Sequence, residues 1–468
     1  MIFSSITFLY YFLPVTLALY FIVPMPGGSA RYRNIVLLLA SLVFYAWGEP
    51  VFVLIMISQS FFAWAFGFAI ERFRGSKTSR VMMILSVIVS LSALLYFKYA
   101  DFFILNINAV LGGQLGLLGL VLPIGISFYT FQLLSYTIDL YWGKIKLQRN
   151  LISFSTYVAS FPQLIAGPIV RYADIEDDLA QRKHSAERFS HGAFRFTIGL
   201  AKKVLIANVM GELVEIYRAS GENSLLFVWL YIIAFTLQLY FDFSGYSDMA
   251  IGLGHMLGFK FPENFNYPYI ARSITEFWRR WHISLSSWFR DYVYIPLGGN
   301  RVNVPRHVFN IFVVWMLTGF WHGAAWQFII WGLYFAVILA VEKYFLARYL
   351  DKTPRALRHV YVMMIIFVSW AFFDAPGIAA SGQTLSRMFG FGADTPAGME
   401  SLYYLRSYMV PILAGIIGCT PIPKIAAEKI RKTKASVVLE PLTVCVLLIV
   451  STAYLTDGSF NPFIYFRF

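Results

Sequence analysis

The chain has 468 residues, of which 58% are hydrophobic and 13% charged, with a net charge of +13 and a mean hydropathy of +0.63. Soluble domains carry roughly 25% charged residues, so the composition excludes a soluble enzyme and describes a polytopic membrane protein. The positive charge does not mark nucleic-acid binding. It collects in short loops at 31–33, 71–80, 144–149, 348–358 and 424–434, as charge that sets membrane orientation does, and no recognition module accompanies it.

In chain order, apolar stretches approaching the roughly twenty residues that cross a bilayer fall at 6–23, 35–47, 51–70, 81–99, 122–142, 151–170, 225–240, 308–320, 326–344, 360–373, 403–418 and 437–454. We expect an all-α polytopic membrane protein with roughly ten to twelve transmembrane helices, in one integral domain over 1–468. The N-terminal stretch lacks a basic leader and a small-residue cleavage site, and reads as the first span. Alternation puts the basic loops in the cytoplasm and both termini outside, with the Gly-rich 374–401 loop also outside. The region 151–306 resists this alternation. Pro162 and Gly167-Pro168 interrupt one apolar run there, which predicts a broken or re-entrant element. Cys419 and Cys445 are the only cysteines, too few for a disulfide framework or a zinc site.

The segment 240–254, YFDFSGYSDMAIGLG, places Asp242 and Asp248 in or beside an apolar run. They can orient a histidine, bind a cation or cap a helix end. The glycines at 252 and 254 lack dinucleotide-fingerprint spacing. Next, 273–294 concentrates arginines, tryptophans and His282. Ser273 and Glu276 have capping-box spacing. Ile274, Phe277, Trp278, Trp281, Leu285 and Trp288 fall on one helical stripe, with Glu276, Arg279, Arg280, Ser287 and Arg290 opposite. This predicts one amphipathic helix in the membrane interface. It serves either as an anchor or as a holder of a phosphorylated carrier through Arg279, Arg280 and Arg290. His307 lies in a basic loop and is unremarkable.

Trp321-His322-Gly323 is the most informative triplet. His322 is an ionisable group inside an apolar run, which is expensive and by default functional. Gly323 predicts a helix break there. A buried neutral imidazole can serve as a general base, or it can bridge helices as a structural group. No Walker A lysine, nucleophile-elbow serine or HExxH motif is present. The seven histidines show no metal-ligand spacing, so no metal is expected.

The sequence resembles the membrane-bound O-acyltransferase family, in its bacterial branch of alginate and peptidoglycan O-acetyltransferase membrane subunits. The resemblance rests on LPIGISFYTFQLLSY at 122–136, FPQLIAGPIVR at 161–171, QLYFDFSGYSDMAIGLG at 238–254, ENFNYPY at 263–269, the segment 274–301 and GFWHGA at 319–324. The N-terminal IFSSITFLYYFLP and the C-terminal NPFIYFRF also fit. It implies a ring of helices around a thinned catalytic centre, with interfacial and re-entrant helices, in a bacterial inner membrane. It also implies acyl transfer from a cytoplasmic thioester, acetyl-CoA or an acyl carrier, with no permanently bound cofactor. The acceptor is an extracytoplasmic polysaccharide, alginate-like by preference, and a separate transferase of the SGNH serine-hydrolase type completes delivery. Peptidoglycan acetylation and D-alanyl transfer to teichoic acid are the related alternatives. A proton-coupled transporter and an export-complex scaffold are the non-enzyme ones. The family's catalytic histidine falls on His322 and its second histidine on His282. Trp278, Arg279, Trp281, Arg290, Trp321, Asp242 and Asn266 are expected to bind donor or substrate.

Overall fold

The computed structural model describes residues 1–24, 29–457 and 461. The C-terminal motif lies outside the described residues except for Asn461. Regular structure among the described residues is helical, and β pairing is confined to two isolated bridges. The protein is an all-α polytopic membrane protein.

Six helices are long and apolar enough to cross a membrane: Val53–Arg72, Lys77–Leu111, Leu225–Met256, Trp326–Leu350, Arg355–Asp374 and Ser436–Thr456. A seventh span results if Met399–Gly418 and Ile422–Arg431, bent by 69°, count as one. The sequence reading expected ten to twelve, and the difference has a physical cause. Ile126–Tyr141 has 16 residues and Leu151–Ala159 has 9. At about 1.5 Å per residue they reach roughly 24 and 14 Å, short of a hydrocarbon core of roughly 30 Å. Val304–His322 has 19 residues but carries Arg306, His307 and Asn310 in its first two turns. Leu225–Met256 has 78% of its apolar window buried, against 6% for Ser436–Thr456. The first is therefore a core helix, and the second presents its side chains outward.

The described chain divides into two compact units, Met1–Phe196 with Tyr246–Pro262, and Thr197–Gly245 with Glu263–Phe468. In the first unit, Phe3, Phe8, Phe44 and Phe161 are fully buried and pack ring against ring. The guanidinium of Arg182 is also buried in this unit, where it donates to Tyr20 Oη at 2.9 Å, to the Asp178 carbonyl at 2.9 Å and to Asn34. The expected break in 151–170 is present. The Leu151–Ala159 helix ends at Ser160, and a four-residue turn carrying Pro162 follows.

The second unit holds both histidines of interest. Its central feature is a tight antiparallel hairpin, Val304–His322 followed by Trp326–Val341, joined by three residues. Gly319 and Gly332 make this closeness possible. A Cβ at Gly319 would sit on the Phe328 carbonyl, and a Cβ at Gly332 on the Trp315 carbonyl. The helix backbones touch where any side chain would hold them apart.

Candidate active site

His322 is the last residue of its helix, as Gly323 predicted. The backbone turns extended at Gly323, where a Cβ would collide with the Phe328 ring. The imidazole is 6% exposed and edge-on to Trp331 at 5.2 Å and Phe373 at 5.4 Å between ring centroids. Aromatic walls of this type exclude water and lower the local dielectric, which strengthens any polar interaction a ligand brings.

The 273–294 segment is not one interfacial helix. It breaks into Ile274–Arg280 and Ile283–Phe289, followed by a π-turn at Arg290–Tyr294. His282 causes the break. Its backbone is left-handed, φ 45° and ψ 55°, a conformation uncommon for a residue with a Cβ and concentrated at functional sites. The capping box is present in modified form: Ser273 Oγ accepts the Glu276 N–H at 3.0 Å, while the Glu276 carboxylate accepts the Arg272 N–H at 2.9 Å. Trp278 and Trp281 are buried rather than set in a headgroup layer. Trp278 packs on Trp315 and Phe335, and Trp281 on Phe265 and Trp370.

The break turns His282 into the protein. The ring is 1% exposed, lies edge-on to Phe243 at 4.7 Å and places Nδ1 3.1 Å from Asn264 Oδ1. Burial, and then the neighbouring His322, push the His282 imidazole well below its ordinary pKa of 6.5. It is therefore neutral at physiological pH. Trp321 packs on both imidazoles, its ring centroid 6.1 Å from that of His282 and 5.0 Å from that of His322.

Both histidines line one cavity of about 240 Å³, together with Trp278, Trp281, Arg279 and Arg290. Val314, Thr318 and His322 supply one wall at a spacing of four, a single helix face. A larger cavity of about 650 Å³ shares Thr275, Arg279, Tyr294, Val314, Trp315 and Leu339 with it. This outer space reaches Arg272, Lys343, Asp351 and Arg358, beside the basic 348–358 loop. The two cavities are thus a charged vestibule and an aromatic inner chamber. They run along one helix from His307 to His322, roughly 22 Å at 1.5 Å per residue.

Not every expected residue comes to the chamber. Arg279 is exposed where the two spaces meet and has no ion-pair partner among the described residues. Arg290 lines the inner chamber and pairs with Asp291 at 2.7 Å. Asp242 is elsewhere: it lies mid-helix in Leu225–Met256, 2% exposed and 2.7 Å from Lys203 Nζ. Asp248 pairs with Arg195 at 2.8 Å. Neither aspartate caps a helix end, because the helix runs unbroken to Met256. Asn266 is exposed and lines neither cavity; its backbone exchanges hydrogen bonds with Arg280 at 2.9 and 3.0 Å. Two residues earlier, Asn264 holds His282. His307 is not an idle loop histidine. It is 3% exposed, on the vestibule wall, with Tyr294 Oη 2.7 Å from Nε2 and Tyr344 Oη 2.6 Å from Nδ1.

The sequence profile of the membrane-bound O-acyltransferase family matches residues 148–382, half of the chain, and this includes both histidines. A probable alginate O-acetylase of Azotobacter vinelandii is 39% identical over the whole of both chains. The chain belongs to the membrane-bound O-acyltransferase family. A probable alginate O-acetylase of Pseudomonas aeruginosa is 44% identical over 84% of this acyltransferase and 75% of its own length. A peptidoglycan O-acetyltransferase of Helicobacter pylori is 34% identical over 83% and 80%. The protein is thus a multi-pass membrane O-acyltransferase acting on an acyl donor, and the resemblance drawn from the motifs holds.

Proposed function

We propose that this O-acyltransferase moves an acetyl group from a cytoplasmic thioester, acetyl-CoA, towards O-acetylation of an extracytoplasmic polysaccharide of the alginate type. One observation carries the reading: His282 and His322 line a single buried chamber that shares a wall with a vestibule bearing Arg272, Arg279, Lys343 and Arg358. Guanidinium and ammonium groups bind phosphate, and the phosphates of a coenzyme A or phosphopantetheine donor would rest there. The thioester arm would then reach inward past Trp278 and Trp281. His322 is the general base towards the acceptor hydroxyl, and His282 orients that hydroxyl. General base work of this kind contributes roughly 10²–10⁴-fold.

The alginate acceptor is supported by the Azotobacter and Pseudomonas relatives, both probable alginate O-acetylases. A peptidoglycan acceptor is favoured by the Helicobacter relative. The basic loop beside the vestibule supports a cytoplasmic donor face in a bacterial inner membrane, with extracytoplasmic termini. A separate SGNH-type transferase would finish delivery. We treat the chain as one acyltransferase domain, because the family match draws on sequence from both compact units.

The test is His322→Ala, expressed to wild-type membrane levels, with ester content measured on alginate and on peptidoglycan. Loss of esters from alginate alone supports the full reading. Loss from peptidoglycan alone reassigns the acceptor. Unchanged esters on both remove His322 from catalysis.

A further inference from the structure

The hydrogen bonds around Asn264 decide a question that a heavy-atom position alone leaves open. Asn264 Oδ1 lies 3.2 Å from the Ser284 backbone nitrogen, 2.9 Å from Ser284 Oγ and 3.1 Å from His282 Nδ1. A backbone N–H can only donate, so the Asn264 atom facing it is the carbonyl oxygen, not the amide nitrogen. That oxygen can only accept. His282 Nδ1 therefore carries the ring hydrogen, and in a neutral imidazole Nε2 is then a bare lone pair. His282 Nε2 is buried and has no hydrogen-bond partner among the described residues. A buried acceptor without a partner is unfavourable, and a donor entering the chamber would offset that.

We propose that Asn264 is a positioning residue that locks His282 in the Nδ1–H tautomer, so that the bare Nε2 accepts a hydrogen bond from a second O–H of the acceptor and turns the hydroxyl to be acylated towards His322. The assignment rests on the acyl-transfer reading and gives the orienting role of His282 an atom and a polarity. The lock is doubled in the backbone. The Ile283 N–H donates to the Asn264 carbonyl at 3.0 Å, fixing the left-handed turn that aims the ring. The other titratable groups on the chamber wall are His322, Arg279, Arg290 and Tyr294. None is a carboxylate, so nothing on that wall holds His282 as an imidazolium.

The decisive measurement is ¹⁵N NMR of the detergent-solubilised full chain with ¹⁵N-labelled histidine, the His282 signals being assigned by their loss in His282→Gln. The lock requires a pyrrole-type Nδ1 and a pyridine-type Nε2 between pH 6 and 8. A pyrrole-type Nε2 overturns it. Asn264→Asp keeps an acceptor for Ser284 and should fold, but its carboxylate favours the imidazolium and puts a proton on Nε2. Acetyl transfer by this variant, assayed with acetyl-CoA and a de-esterified alginate in membranes that also hold the SGNH-type partner, should show its acid limb moved to higher pH, with kcat falling by about 10²-fold on the acid side and recovering as pH rises. A pH profile identical to wild type overturns the proposal. Wild-type protein that moves no acetyl group from acetyl-CoA would sink the acyl-transfer reading while leaving the NMR result standing, so the two failures are distinguishable.

Discussion

The carboxylate of Glu342 accepts the backbone N–H of Ile274 at 2.7 Å, sixty-eight residues away in the chain. Its other oxygen accepts the Thr275 N–H at 2.9 Å. Glu342 follows the helix that returns from His322, and Ile274 opens the helix that leads to His282. A single buried side chain thus ties together the elements carrying the two imidazoles, and places a negative charge at a helix N-terminus, where it is favoured. Charge-assisted hydrogen bonds of this type contribute about 1.5–3 kcal/mol. Glu342→Ala should lower the thermal unfolding midpoint in detergent and reduce acetyl transfer, because the Ile274–Arg280 helix loses its anchor. Glu342→Gln keeps one acceptor and should be milder in both. An unshifted midpoint for Glu342→Ala would remove the anchor from the account.

The vestibule supplies a kinetic prediction. Arg272, Arg279, Lys343 and Arg358 border it, and a phosphate-bearing donor would contact them before its thioester reaches the histidines. Replacing Arg279 or Arg358 by Gln should raise KM for acetyl-CoA about tenfold, the value of roughly 1.4 kcal/mol of charge-assisted bonding. It should change kcat little, since this binding is equal in ground and transition states. The KM of wild type should rise with ionic strength and that of the variants less so. A fall in kcat at constant KM would move these arginines from donor capture to chemistry.

Much of this site was legible in residue types. Burying an imidazole in an apolar run is costly enough that His322 announces itself, and Gly323 marks the break. The helical stripe at Ile274, Phe277, Trp278 and Trp281 also reads correctly as an inward face. Periodicity fails at His282, because a period of 3.6 continues through a residue whose left-handed backbone stops the helix. No spacing rule flags a non-glycine residue in that conformation. Asn264 and Asn266 sit in one motif, and only the fold shows that the first is buried and the second exposed. The one available signal was chemical: an Asn within eighteen residues of a buried His is a candidate tautomer lock. Asp242 stands out in the sequence for the same reason as His322. Both are ionisable groups in apolar surroundings, but Asp242 already has Lys203, seen only once the helices are packed.

That pair makes a third prediction. Lys203 and Asp242 are 3% and 2% exposed in their side chains and 2.7 Å apart. Removing one partner of a buried pair costs about 3–5 kcal/mol, whereas replacing both by apolar groups is often neutral. Lys203→Met and Asp242→Leu singly should cut the folded membrane level severely, and the double variant should recover it. If Asp242 serves only to balance Lys203, the recovered protein will transfer acetyl at the wild-type rate per molecule. Recovery of level without activity would return Asp242 to the substrate-binding residues.

Burial of His282 also sets how the fold responds to acid. Its pKa is held below 6.5 chiefly by loss of solvent and secondly by His322. The unfolded chain binds a proton at about 6.5, while the folded protein resists it, so protonation pulls towards the unfolded state. The stability in question is therefore fully present above about pH 6.5 and is lost progressively as pH falls below that value. His282→Asn isolates this contribution. Asparagine tolerates the left-handed backbone better than most residues and does not titrate. Unfolding midpoints in detergent measured from pH 8 to 5 should fall more steeply for the wild type than for His282→Asn, the two curves separating only below about pH 6.5. Parallel curves would mean that the folded protein protonates His282 as readily as the unfolded chain does, and that the imidazole is not the neutral group on which acyl transfer here depends.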